Sequence, residues 1–219
     1  LLCGLALATL LLGTVGARAY EKTRKPDPYP VHQWTGFYVG ANLGYGLAGL
    51  TDNGPLAVTT NMTGVIGGVQ AGYNYQIESL VLGIESDLED SNQSTSYGVT
   101  VPISGSFSAS EKIPWFGTVR GRLGYSVGST LFYATGGYAY GNIKTNIDFT
   151  GFPQVRLSET RGGWTAGAGI ETPFTLLGLF GPNWTSKTEY LYVDLGRSTD
   201  AYDVGGTPVV SSTHVTEHI

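Results

Sequence analysis

The chain is poor in cysteine and in charge, and beyond residue 19 it has no long hydrophobic run. Its one cysteine, Cys3, excludes an internal disulfide framework. Charged residues make up 13% of the chain, against roughly 25% in ordinary soluble domains. Lys and Arg gather nowhere and the formal net charge is −5, so the basic patch by which a protein holds nucleic acid is missing. After residue 19 no stretch reaches the ~18 apolar residues that a membrane helix needs. Such a chain can cross a bilayer only as a closed barrel, the other structure that satisfies every backbone polar group in lipid.

What is abundant fits that route. Glycine supplies 33 residues, and the 14 tyrosines outnumber Phe and Trp together. The front of the chain reads as an export signal: residues 1–15 are an apolar run, and Ala17-Arg18-Ala19 is a small-x-small cleavage site. Tyr20 is then the expected mature N-terminus, and a basic segment with an initiator Met is expected ahead of Leu1. Cys3 stands at the start of the apolar run and not at its end, which argues against a lipoprotein box. Residues 20–33 carry Lys22, Arg24, Lys25 and three prolines, and are expected to form an exposed periplasmic leader before a domain over 34–219.

From Trp34 onward apolar residues recur with period two, the mark of strands with one apolar face. The alternation predicts strands over 36–46, 64–77, 80–90, 114–127, 130–146, 162–171 and 183–195. Phe37, Val39, Leu43 and Tyr45 share one face of the first; Leu80, Leu82, Ile84 and Leu88 share one face of the third. Ile66, Tyr133 and Ile143 break the alternation. Two-residue turns at Glu78-Ser79 and Gly128-Ser129 alternate with polar connections of roughly fifteen to twenty residues. Short turns alternating with long loops is the outer-membrane barrel arrangement. The connection over 172–182 departs from it, being long and mostly apolar. A soluble β-sandwich would alternate equally well, but its second face would be rich in Lys, Glu and Thr. Here that face is largely Gly, Asn and Gln, with a few charges of both signs.

At Trp34-Thr35-Gly36-Phe37-Tyr38-Val39-Gly40-Ala41-Asn42-Leu43-Gly44-Tyr45-Gly46 the chain resembles the opening strand of the small alphaproteobacterial outer-membrane β-barrel proteins, the porin-like surface antigens and hemin-binding proteins. Residues 120–125, 134–141, 163–171 and 187–196 resemble later strands of that family. The resemblance implies an all-β, eight-stranded antiparallel up-and-down transmembrane barrel of the OmpA type. Members close on a last strand ending in an aromatic residue. This chain stops at Thr213-His214-Val215-Thr216-Glu217-His218-Ile219, so its last strand is expected to lack about eight residues.

The inward faces collect Glu85, Asp87, Glu89, Arg120, Arg122, Glu171, Lys187 and Glu189. In a confined lumen each charge needs a partner, so these residues are expected to form a ladder that fills the interior, or one that gates a narrow pore. An aromatic girdle at the membrane interfaces is assigned to Trp34, Tyr45, Tyr73, Tyr75, Trp115, Tyr125, Tyr190 and Tyr192. No Ser-His-Asp spacing points to an enzyme, although His214 and His218 follow Asp200 and Asp203. No metal set is assigned. Since some members bind hemin, Tyr97, Tyr202 and His214 are its candidate ligands; no other cofactor is expected. The expected partners are outer-membrane lipid and lipopolysaccharide, with host surface factors or hemin at the loops. The expected role is structural and antigenic at the cell surface, with a porin-like channel or a hemin receptor as alternatives.

Overall fold

A computed structural model describes residues 32–52, 58–101, 105–149, 151, 154–174, 183–204 and 207–219. The expected signal peptide, most of the leader and the apolar stretch 175–182 lie outside the described residues. The elements are β1 (Gly36–Asp52), β2 (Val58–Ile77), β3 (Leu80–Ser91), β4 (Ser94–Val101), β5 (Gly105–Val127), β6 (Thr130–Phe149), β7 (Val155–Pro173), β8 (Thr185–Val204) and β9 (Thr207–His218). All pairings are antiparallel, and pairing of β1 with both β2 and β9 closes a ring of eight. The short strand β4 prolongs β3 after a break at Asn92-Gln93, and both run along β5. No described helix is long and apolar enough to cross a membrane.

The strands are longer than the sequence pattern predicts, and the long polar loops are strands. The expected loop over 198–212 is the continuation of β8 into β9, with Asp200 opposite Ser211 and Tyr202 opposite Val209. Likewise β1 and β2 stay paired out to Asp52 and Val58. A tilted strand crosses a bilayer in ~9–11 residues; β2 has 20 residues and β5 has 23. The excess forms ribbons that project from one end and stay paired side by side, β5 with β6 over Phe107–Lys112 and β1 with β9 over Leu47–Asp52. Alternation fades there because neither face meets lipid, which hides the strands from a period-two reading. Pro114, expected to open a strand, sits inside β5 at a register shift between Lys112 and Trp115, where a bulge accommodates the missing N–H.

The opposite end is closed by tight turns. Gly128 takes φ 62° at the first central position of the Val127–Thr130 turn, a conformation glycine adopts without strain. On the outer wall, Phe37, Val39, Leu43, Val69, Leu82, Ile84, Leu88, Leu123 and Tyr138 are all exposed. No soluble sandwich leaves its apolar strand faces bare in this way. Backbone bonds between β9 and Leu47–Asp52 of β1 close the ring. The unboiled, refolded protein should therefore migrate differently on a detergent gel from the boiled one; identical mobility after verified refolding would contradict a closed ring.

Candidate functional site

The interior is stacked in three layers, because odd and even residues of each strand point to opposite sides of the wall. At the short-turn end Trp34, Val81, Leu131 and Tyr133 pack together. Trp34 Nε1 donates to Ser126 Oγ at 3.2 Å, and its backbone N–H donates to Gln76 Oε1 at 2.9 Å. This corrects the girdle assignment of Trp34, which is only 5% exposed. Counting back by twos from the inward Tyr38 passes Gly36 and reaches Trp34, so the inner parity of β1 itself carries the indole into the lumen. The other girdle residues, Tyr45, Tyr73, Tyr75, Trp115, Tyr125, Tyr190 and Tyr192, are exposed or half-buried on the outer parity. Trp115 meets Tyr140 edge-on at 6.2 Å, and Trp164 meets Tyr192 at 5.1 Å.

The middle layer is ionic. Adjacent strands place Glu85 opposite Arg120, and Arg120 holds three carboxylates: Glu85 at 2.7 Å, Asp87 at 2.8 Å and Glu189 at 2.7 Å. Arg122 reaches Glu171 at 2.8 Å and Glu85 at 3.4 Å. Lys187 reaches across the lumen to Glu85 at 3.0 Å and to Gln70 Oε1 at 2.8 Å. Neutral donors fill the remaining valences. Tyr38 donates to Glu85, Thr118 to Asp87, Tyr133 to Glu189 and Thr185 to Glu171, each within 2.6–2.7 Å. Glu89 is the exception among the expected ladder residues: it accepts a hydrogen bond from Asn42 but is within ion-pair distance of no described cation.

Two tyrosines make this layer compact, and period-two reading passed over both. The Arg122 guanidinium lies 4.0 Å from the Tyr133 ring centroid and 5.5 Å from that of Tyr38, a cation–π sandwich in a site without bulk water. Each ring needs a bare backbone to lie on. Tyr38 is registered against Gly72, and Tyr133 against Gly169. A Cβ at either glycine would run into the facing tyrosine hydroxyl. A usable signal was the inward glycines themselves, directly opposite inward tyrosines.

Above the ions, toward the ribbons, lies a second apolar layer of Met62, Ile66, Ile113, Phe116, Ile143, Val193, Leu195 and Val215. Ile66, Tyr133 and Ile143, which broke the alternation, are all interior residues at 2%, 5% and 4% exposure. Glu217, fully buried among this layer's strands, was not foreseen; neither of its oxygens has a described hydrogen-bond partner. Between this layer and the ions remains a cavity of about 40 Å³ bounded by Asn42, Gln70, Glu89, Phe116, Lys187 and Leu191, room for about one or two waters.

The candidate hemin ligands stand on three different strands. Tyr97 lies in β4 opposite Ala109, while Tyr202 in β8 and His214 in β9 lie half the ring away in strand order. His214 sits opposite Arg197 and not beside Asp200 or Asp203; its Nε2 is 3.1 Å from Asp194. His218 Nδ1 is 2.6 Å from the Tyr190 hydroxyl. Among the described residues no serine hydroxyl bonds either histidine, and no group of three or more ligating side chains could hold a metal.

Arg120 is the most connected cation of the layer. Arg120→Ala leaves Asp87 with only the Thr118 hydroxyl, and stranding a buried charge costs about 3–5 kcal/mol. Ser96→Ala on the exposed face of β4 should leave stability unchanged. Urea midpoints of the refolded variants check this, and coincident midpoints would show that the ionic layer does not bear on stability.

Comparison with known proteins agrees with this architecture. Residues 6–209 match the outer membrane protein beta-barrel domain family. The 31 kDa outer-membrane immunogenic protein of Brucella melitensis is 38% identical over 78% of this chain and 75% of its own length. The 22 kDa outer membrane protein of Rhizobium leguminosarum bv. viciae is 34% identical over 75% of this chain and 66% of that protein. Among solved structures, Ail, the attachment invasion locus protein of Yersinia pestis, aligns with a TM-score of 0.39 at 12% identity, covering 82% of this chain and 96% of that one. With its closed ring, its apolar outer wall and these relatives, the chain belongs to the outer-membrane β-barrel protein family and is an integral protein of the outer membrane.

Proposed function

We propose that this protein is a non-conducting, non-enzymatic anchor whose ribbons form a surface antigen and interaction site of the cell envelope. The observation that carries this reading is the three-layered lumen. An apolar layer, an ionic layer and a second apolar layer lie one above another, with a cavity of only about 40 Å³ between the ions and the upper apolar layer. An ion crossing it would have to displace Phe116 and its neighbours and then break the bonds of Arg120. Eight strands leave a lumen that side chains can fill, and here they do.

Short turns of such barrels face the periplasm and the long connections face outward. The ribbons formed by β1–β2, β4–β5, β6–β7 and β8–β9 are then the parts that other molecules meet. The Brucella relatives are named immunogenic, which fits ribbons presented at the cell surface. Host surface factors and hemin are candidate partners for these ribbons, and the export signal over 1–19 with its leader over 20–33 remains part of this reading.

Planar-bilayer recording of the refolded protein tests the sealed lumen. No stepwise conductance is expected from the wild type. Discrete openings at the amount of protein that gives a pure folded band would replace the anchor reading by a porin. A hemin titration on the same preparation should leave the Soret band at its free-ligand position; a shift lost on His214→Ala would assign the ribbons to hemin.

A further inference from the structure

One stretch of the outer wall carries a feature that neither the sealed lumen nor the apolar belt needs. Lys112 on β5 and Lys144 on β6 are directly opposite in the register. Both are exposed on the outer parity, and neither has a carboxylate within ion-pair distance among the described residues. Opposed residues on neighbouring strands bring their Cβ atoms to ~4.5–5.5 Å, and like charges so placed repel. The row continues on both sides with small hydroxyls, Ser94 opposite Lys112 and Ser158 opposite Lys144. One rung farther out stands Arg156, opposite Asn146. Of the acids nearby, Asp90 lies opposite Trp115, Asp148 accepts a hydrogen bond from Gln154, and Glu159 pairs with Arg161 at 2.8 Å. The row itself holds none.

Its height on the barrel matters as much as its charge. Just below are Trp115, Tyr138, Tyr140 and Trp164, with Tyr138 stacked on Tyr140 at 6.3 Å. Aromatic rings of this kind settle at the headgroup level of a bilayer. Lys144 is four residues beyond Tyr140 on β6, about 13 Å along the strand at ~3.3 Å per residue and less than that along the membrane normal because strands tilt. A lysine stem can bend back across that distance. The paired ammoniums therefore stand where the phosphates of outer-leaflet lipids lie, and an anion between them removes the repulsion that the register imposes.

We propose that Lys112 and Lys144 clamp a phosphate of an outer-leaflet lipid headgroup, with Ser94 as a flanking hydroxyl donor and Arg156 as the outer cation. The lipid's acyl chains then lie against the apolar wall of β5–β7 beneath the aromatic rung. The site is independent of whether the lumen conducts.

Native mass spectrometry of the refolded full chain in a neutral detergent tests the clamp, with purified lipid A (a bisphosphorylated, acylated diglucosamine) as the probe. Wild type should retain lipid A and should not retain the same lipid after enzymatic dephosphorylation. The double variant K112Q/K144Q should bind about thirtyfold more weakly and the single variant K144Q about fivefold, at roughly fivefold per ammonium removed from an anionic surface. R197Q, on β8 two strands away from β6, should match wild type. Heat-dependent gel mobility verifies each variant's fold, and if the double variant fails it, K144Q decides alone. Equal retention by the lysine variants and wild type would overturn the proposal. So would equal retention of the dephosphorylated lipid, or displacement by inorganic phosphate at the lipid's own concentration.

Discussion

A bilayer core offers backbone N–H and C=O groups no partner, and each one left bare there costs several kcal/mol. Everything else in this molecule answers to that constraint. Antiparallel pairing from β1 through β8 gives the backbone its bonds, and β9 joins β8 back to β1 over Leu47–Asp52. Closing that ring divides the side chains into two populations, one meeting lipid and one confined. The outer population needs only to be apolar and suitably banded with aromatics. The inner population has to fill a narrow tube without leaving a charge stranded.

The solution inside the tube is to stack unlike layers. Ions surrounded by lipid-facing wall are costly unless paired, and the ionic layer meets this by sharing. Arg120 serves three carboxylates, and Glu85 draws on Arg120, Arg122 and Lys187 together. Tyrosine hydroxyls supply the donors that the cations cannot. Apolar side chains on either side keep water from competing for these bonds. The same packing that satisfies the charges also occludes the path, so sealing is a consequence of stability in so small a barrel.

Much of this was legible from residue order. Alternation located the membrane-crossing parts of the strands and put the eight ladder charges on inward parity, because lipid outside demands apolar residues every second position. Other features were hidden for physical reasons. The rule that apolar residues face out fails for Ile66, Tyr133 and Ile143, since a small lumen is filled by side chains of either kind. Trp34 was assigned to the girdle as an aromatic at a strand end, although its even number gives it the parity of the inward Tyr38. The ribbons were invisible because water on both faces removes the alternation, and Tyr97, Tyr202 and His214 therefore seemed to share loops when they stand on separate strands. The Lys112–Lys144 pair depends on register across a bulge, which spacing in one chain does not give.

A sealed barrel requires a dry upper lumen. Ala139 points inward within the ribbon-side apolar layer and is 0% exposed, whereas Ser96 is open to water. With Cys3 replaced, Ala139→Cys and Ser96→Cys would each carry one thiol in the refolded barrel. The rate of modification by a charged, membrane-impermeant thiol reagent measures access directly, since the exposed thiolate is the reacting species. A sealed lumen predicts rapid labelling of Ser96→Cys and none of Ala139→Cys until the protein is boiled. Labelling of both at comparable rates in the folded state would contradict it.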